Sequence, residues 1–238
     1  MKLFRDHPAG DSSQRGSGSS ADEFAVARAE MIEKQLRRRG VHDSGVLSAM
    51  AAVHREEFVP TEFRHRAYED APLPIGEGQT ISQPYIVAAM TAALRLTGHE
   101  RILEIGTGCG YQAAILSRLS KIVFSVESRS TLAATATARL ERLGYANVHV
   151  HCGDGTLGLP ELAPFDAILV AAAAPAVPEP LRTELAEGGR LILPVGDAEN
   201  QELLLIERHG NSFETYTLDA CRFVPLVGYY GWKEPPAR

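Results

Sequence analysis

Two stretches of this chain combine residue types at spacings that can do chemistry. One is LEIGTGCGY, in which Glu104 is followed by Gly106, Thr107, Gly108, Cys109, Gly110 and Tyr111. A loop with so few side chains lets backbone N–H groups approach a ligand at the start of a helix. The dinucleotide fingerprint G-x-G-x-x-G needs glycine where Tyr111 stands, and Gly110 comes one residue too early, which counts against a nicotinamide cofactor. The loop holds no GK[ST], and no lysine occurs between Lys34 and Lys121, so a triphosphate fits poorly. The other stretch is GEGQTISQP, upstream of that loop. There Gly76 and Gly78, as hinges, precede the polar run Gln79, Thr80, Ile81 and Ser82.

These residues need a frame, and the hydrophobic pattern supplies one. From Pro84 onward helix and strand alternate: helix QPYIVAAMTAALRL, strand RILEIG, helix YQAAILSRL, strand KIVFSVE, helix TLAATATARLERLG, strand NVHVHCGD and strand FDAILVAAAA. A helix PEPLRTELAEGG with a glycine stop and a strand RLILPVG follow, and ELLLIERHGNSFETYTLD reads as a hairpin turning at HGNS. Nearly all-apolar strands in turn with helices call for a parallel sheet covered on both faces. The expectation is an α/β fold, a doubly wound, mostly parallel, Rossmann-like sheet with a helical N-terminal extension and antiparallel strands at its C-terminal edge.

Ligands of such sheets sit beyond the carboxyl ends of the strands. A carboxylate stands at each of the first three: Glu104 just before the glycine loop, Glu127 at the end of the second strand, and Asp154 with Gly155 after the third. Glu127 can accept both hydroxyls of a ribose. Asp154 can accept from an exocyclic amine while its glycine neighbours admit a flat ring. Glu104, on an apolar strand, needs a positively charged partner or several N–H donors to offset its burial. The implied ligand is an adenosine carrying a group that wants a glycine loop and an acid, and S-adenosylmethionine meets that description.

Before the sheet, Phe24, Ala27, Met31, Gln35 and Leu36 mark one side of a helix, with Ser20 and Glu23 in capping-box spacing and Gly40 as a stop; Val46, Leu47, Met50 and Val53 mark a second. About thirty residues from REEFVP to ISQP have no sustained period, and long irregular segments are often functional. The expected divisions are a disordered Ser/Gly-rich tail over residues 1–22, a helical and substrate-loop extension over 23–97, the cofactor-binding α/β domain over 98–228, and a tail over 229–238. With 238 residues, 45% hydrophobic and 23% charged, the chain can bury a real core. A formal charge of -6 argues against a nucleic-acid partner. Three cysteines in no CxxC spacing indicate neither a disulfide framework nor a zinc site. No apolar run approaches a membrane span, so the expectation is a cytoplasmic, metal-free monomer.

The E-x-G-x-G-x-G loop, Glu127 and the GDG turn resemble those of class I S-adenosylmethionine-dependent methyltransferases. MIEKQLRRRGV, REEFVP, AYEDAPLPIGEGQTISQPYIVAAM, RILEIGTGCGYQAA and GGRLILPVG are similar to one branch, the protein-L-isoaspartate O-methyltransferases, from about Ala27 to Leu226. GQTISQP is the most diagnostic element. The resemblance implies methylation of the free α-carboxylate of isoaspartyl residues in peptides and proteins, with S-adenosylhomocysteine as coproduct. It makes Ser82 the catalytic hydrogen-bond donor that orients this carboxylate, and Gln79, Thr80 and Ile81 its companions in the substrate loop. Glu104, Gly106, Thr107, Gly108, Gly110, Tyr111, Glu127, Asp154 and Gly155 become the cofactor set, and Phe223 to Leu226 read equally as lining for the peptide groove or as edge-strand packing. Cys109 stands where the family commonly has Ser, and Ala171 where Thr is frequent. Three other readings stay open at this stage: a methyltransferase for a small molecule or RNA, a non-catalytic binding module, and a nicotinamide oxidoreductase.

Overall fold

The computed structural model describes residues 20–233. Residues 1–19 and 234–238, and the Ser20 side chain of the expected capping box, lie outside that range. Helix α1 (Ser20–Glu30) continues through a turn of π-helix, Met31–Leu36, and a 3₁₀ turn, Arg37–Arg39, until Gly40 at φ 92° ends it. Helix α2 (Ser44–Ala52) is capped by Asp43, whose carboxylate accepts the Val46 N–H at 2.8 Å.

The stretch expected to be irregular is ordered. It contains two 3₁₀ turns, Arg55–Phe58 and Thr61–Arg66, and a hairpin of β1 (Leu73–Gly76) and β2 (Gln79–Ile81). Gly76, Glu77 and Gly78 take φ of 95°, 52° and 68°, three successive left-handed residues. The two glycines therefore close a hairpin turn, where a side chain would be strained, and are not hinges in an open loop. Strands this short, one of them containing Pro74, leave no alternation for sequence reading to detect.

Helix α3 (Pro84–Ala93) opens with proline in its first turn, where the missing N–H costs nothing. The rest alternates as expected: β3 (Arg101–Ile105), α4 (Tyr111–Ser117), β4 (Ile122–Glu127), α5 (Ser130–Arg142), β5 (Val148–Cys152), β6 (Phe165–Val170), α6 (Glu179–Thr183), β7 (Leu185–Gly196), β8 (Gln201–His209) and β9 (Ser212–Cys221). The strands lie in the order β5-β4-β3-β6-β7-β8-β9. The first five are parallel; β8 and β9 add antiparallel on the β7 side, with β9 at the edge. Chain order reverses between β3 and β6, which makes the crevice above their carboxyl ends the switch point where a ligand is expected.

One element differs from the sequence expectation. PEPLRTELAEGG is helical only over Glu179–Thr183; Leu185 is fully buried and pairs with Phe165, while the next pair is Ala167 with Arg190. Gly188 and Gly189 sit in the resulting bulge. A Cβ on Gly189 would stand 2.8 Å from the Ala186 carbonyl oxygen, so this glycine serves a strand bulge and not a helix stop.

The N-terminal elements share their core with the sheet's helices. Met31, Leu36, Met50 and Phe58 pack in one apolar cluster with Tyr111, Ile115 and Leu140. At the other end the chain stays packed beyond residue 228: the Tyr229 N–H donates to Asp154 Oδ2 at 2.7 Å, and the Trp232 indole donates to the Ala173 carbonyl at 3.2 Å. Among the described residues no helix is long and apolar enough to cross a membrane.

Candidate active site

A cleft with about 930 Å³ of non-atom space, part of it open to solvent, lies at the switch point. One wall is the run Gln79, Thr80, Ile81 and Ser82; the floor is Gly106, Thr107 and Gly108; Phe223 to Val227 close the far side. The two stretches singled out in the sequence thus meet in one cavity. Tyr111, Glu127 and Gly155 also face it.

Glu127 is both lining and brace. Its Oε2 accepts the Gly108 N–H at 2.8 Å and its Oε1 accepts the Arg129 N–H at 3.0 Å. A carboxylate has about four acceptor directions, so two remain for a vicinal diol. The loop is further tied to β4 by the Gly106 N–H, which donates to the Val126 carbonyl at 2.8 Å. Ser82 is half-buried, and among the described residues no group hydrogen-bonds its hydroxyl, which leaves that donor for a ligand.

Three expected cofactor residues do not line the cleft. Asp154 spends its carboxylate elsewhere: Oδ1 accepts the Thr156 N–H at 2.9 Å and the Thr156 hydroxyl at 2.7 Å, and Oδ2 accepts the Tyr229 N–H. It caps the turn Gly155–Leu157 and anchors the C-terminal segment. Glu104 is fully buried behind the loop. Its Oε2 accepts from the Ser125 hydroxyl, which in turn is hydrogen-bonded to the Thr107 hydroxyl, so it reaches the cleft only through those two side chains. Gly110, at φ 89°, starts α4 and shapes the loop from outside the cleft. Gly155 does line the cleft, but its lack of a side chain answers to packing as well: a Cβ there would stand 2.5 Å from Ile105 Cγ2.

Both departures from the family pattern line the cleft. Cys109 lines the cleft while buried, and burial pushes its thiol pKa up, which makes it an unreactive lining group. Ala171 donates its N–H to the Ile105 carbonyl at 2.8 Å, a bond any residue but proline could make there. Sequence reading missed Ser128 and Arg129, which follow Glu127 out of β4, and Val87 and Met90 on the inner face of α3. Their positions just after a predicted strand end and just after the substrate loop were the available signal. It also missed Arg55, which nothing in REEFVP marks as buried.

Burial lifts the Glu104 carboxyl to about 8, with the neighbouring Glu127 charge adding to the rise and the Ser125 hydrogen bond opposing it. An unfolded glutamate loses its proton near pH 4.5, whereas the folded one keeps it to about pH 8. Unfolding between these values releases a proton, so this group's stabilising contribution is full below the unfolded value and declines as pH rises, by at most ~1.4 kcal/mol per unit. Glu104→Gln, which cannot ionise, is expected to lack that decline: urea unfolding at pH 5, 6.5 and 8 should show the variant gaining on the wild type as pH rises. A constant difference across the three would contradict the assignment.

The donor set fits the cofactor inferred from sequence: a carboxylate with free acceptor directions beside a glycine floor, in the crevice where a sheet of this kind binds its ligand. Sheet, switch point and glycine loop together define a class I S-adenosylmethionine-dependent methyltransferase. The comparisons narrow the class. The family model for Protein-L-isoaspartate(D-aspartate) O-methyltransferase (PCMT) matches residues 27–231, and the chain belongs to that family. It is 54% identical over 210 residues to protein-L-isoaspartate O-methyltransferase 1 of Syntrophobacter fumaroxidans, covering 88% of this chain and 98% of that one. The protein-L-isoaspartate O-methyltransferase of Roseiflexus castenholzii is 55% identical, over 88% of this chain and 96% of its own. Among solved structures, a protein-L-isoaspartate O-methyltransferase superposes with TM-score 0.78 at 34% identity, covering 86% of this chain and 67% of that chain. A Plasmodium falciparum chain described as the same enzyme, in complex with S-adenosyl-L-homocysteine, gives 0.73 at 26% identity over 86% and 98%.

Proposed function

We propose that the protein transfers a methyl group from S-adenosylmethionine to the free α-carboxylate of L-isoaspartyl residues in damaged proteins and peptides, which starts their repair through a succinimide. The observation that carries this reading is the meeting of the substrate loop, Gln79 to Ser82, with the glycine loop in one cleft. When bound, the cofactor would supply an electrophilic sulfonium methyl, whose transfer to a carboxylate oxygen breaks the S–CH3 bond and leaves S-adenosylhomocysteine, a thioether that needs no acid to depart.

The chain's own residues then have a limited task. A carboxylate with a pKa near 4 is already ionised at neutral pH, so no general base is needed. Ser82 donates its hydroxyl to that carboxylate and aims it. Glu127 accepts the ribose hydroxyls, and the Gly106–Gly108 floor keeps side chains out of the way. Alignment of this kind supplies roughly 7 to 11 kcal/mol of barrier reduction, which is the enzyme's main contribution here. Ester formation turns a poor leaving group, oxide, into methoxide; the next backbone nitrogen attacks the ester carbonyl, gives up its proton and expels methanol, which closes the succinimide with no further catalytic residue.

The partners are isoaspartyl peptides and proteins. The net charge of -6 disfavours a nucleic-acid partner, and the reading places the protein in the cytoplasm as a metal-free monomer that does not need a membrane. Prolonged incubation of an isoaspartyl peptide with the protein and S-adenosylmethionine is expected to convert part of it to the aspartyl isomer, separable by reversed-phase chromatography. An isoaspartyl pool that stays unchanged would count against the repair reading.

A further inference from the structure

We propose that Arg55 is a positioning residue for the methyl-accepting carboxylate, acting through the Ser82 peptide group; the inference rests on the role given to Ser82 above. Arg55 is fully buried. Its Nε donates to the Ala67 carbonyl at 2.7 Å and its Nη2 to the Ser82 carbonyl, also at 2.7 Å. The guanidinium carbon stands 4.8 Å from the centroid of the Tyr111 ring, and Tyr111 shares the cleft with Ser82. One side chain therefore joins the backbone of the substrate loop, the chain that leads into the hairpin, and a wall of the cofactor site.

For stability alone this is a poor arrangement. Among the described residues no carboxylate neutralises Arg55, and its Nη1 is buried without a hydrogen-bond partner. Taking an unpaired cation out of water is costly, and its two carbonyl hydrogen bonds offset only part of that cost, so folding alone is a weak explanation for it. Positioning is a stronger one. A peptide plane whose carbonyl is held cannot swing freely, and this fixes the direction in which the Ser82 Cα–Cβ bond carries the hydroxyl into the cleft. The planar fork of guanidinium serves two carbonyls in fixed directions, a geometry that the single ammonium of lysine does not supply.

The test is a double-mutant cycle with Arg55→Met and Ser82→Ala, read on an isoaspartyl peptide and on S-adenosylhomocysteine binding. Arg55→Met should bind S-adenosylhomocysteine within about threefold of wild type. Its kcat/KM for the peptide should fall about 10- to 100-fold, the range expected for loss of a charged hydrogen bond. Because Arg55 works through Ser82, the double variant should be no slower than Ser82→Ala alone. Losses that multiply, or a weakening of cofactor binding that matches the loss in kcat/KM, would overturn the proposal. If Arg55→Met does not fold, judged by its thermal transition, Arg55→Lys carries the same cycle with the charge retained and the fork removed. A wild type inactive on the isoaspartyl peptide would instead overturn the reading of the function itself.

Discussion

Glu127→Ala is expected to weaken S-adenosylhomocysteine binding by about 10²- to 10⁴-fold, because two charge-assisted hydrogen bonds to the ligand are lost at roughly 1.5–3 kcal/mol each. The same carboxylate holds the Gly108 and Arg129 N–H groups, so its removal also frees the glycine floor and the start of α5. The two effects act in the same direction. Titration calorimetry with S-adenosylhomocysteine reads the sum, and a thermal melt checks that the variant is folded. Glu127→Gln keeps one acceptor and should fall between the wild type and the alanine variant. A folded Glu127→Ala protein that binds within about fivefold of wild type would show that this carboxylate holds the loop but not the ligand.

Ser82→Ala should leave that affinity unchanged and lower kcat/KM for an isoaspartyl peptide by about 10- to 150-fold, the cost of one hydrogen bond to a charged group. The separation of the two readouts matters more than either number. Ser82 and Glu127 both face the cleft, but Ser82 belongs to the substrate loop and Glu127 to the end of β4. Steady-state kinetics with the peptide varied, beside calorimetry with the coproduct, makes the comparison. If Ser82→Ala weakened coproduct binding as much as it slowed turnover, the hydroxyl would belong to the cofactor and not to the substrate.

The sequence was most readable where one physical rule governs a whole element. The buried strands β3, β4 and β6 are runs of apolar residues in alternation with helices, and their pairing and the edge hairpin β8–β9 follow. Glu127 was singled out by the rule that the strand ends of such a sheet face the crevice, and it does line the cleft. Asp154 sits at an equivalent strand end and was assigned by the same rule, yet its carboxylate is taken up by Thr156 and Tyr229. The competing donor, Tyr229, lies 75 residues away, and nothing local announces it. Glu104 illustrates a different limit: the cost of burying it was foreseen, but the relief is a hydroxyl relay and a retained proton, not a cationic partner. The glycines behaved alike. Gly76 and Gly78 looked like hinges and Gly188 and Gly189 like a helix stop, and in each case a tertiary strand pairing decided what the glycine was for. Arg55 was invisible because its burial depends on carbonyl acceptors, those of Ala67 and Ser82, that lie 12 and 27 residues along the chain.

The most direct test of the account is transfer of labelled methyl from S-adenosylmethionine to two matched peptides that differ in one linkage, isoaspartyl against aspartyl, by the wild-type protein. Label on the isoaspartyl peptide alone is the result predicted. Equal labelling of both peptides, or no label on either while the cofactor still binds, would contradict it.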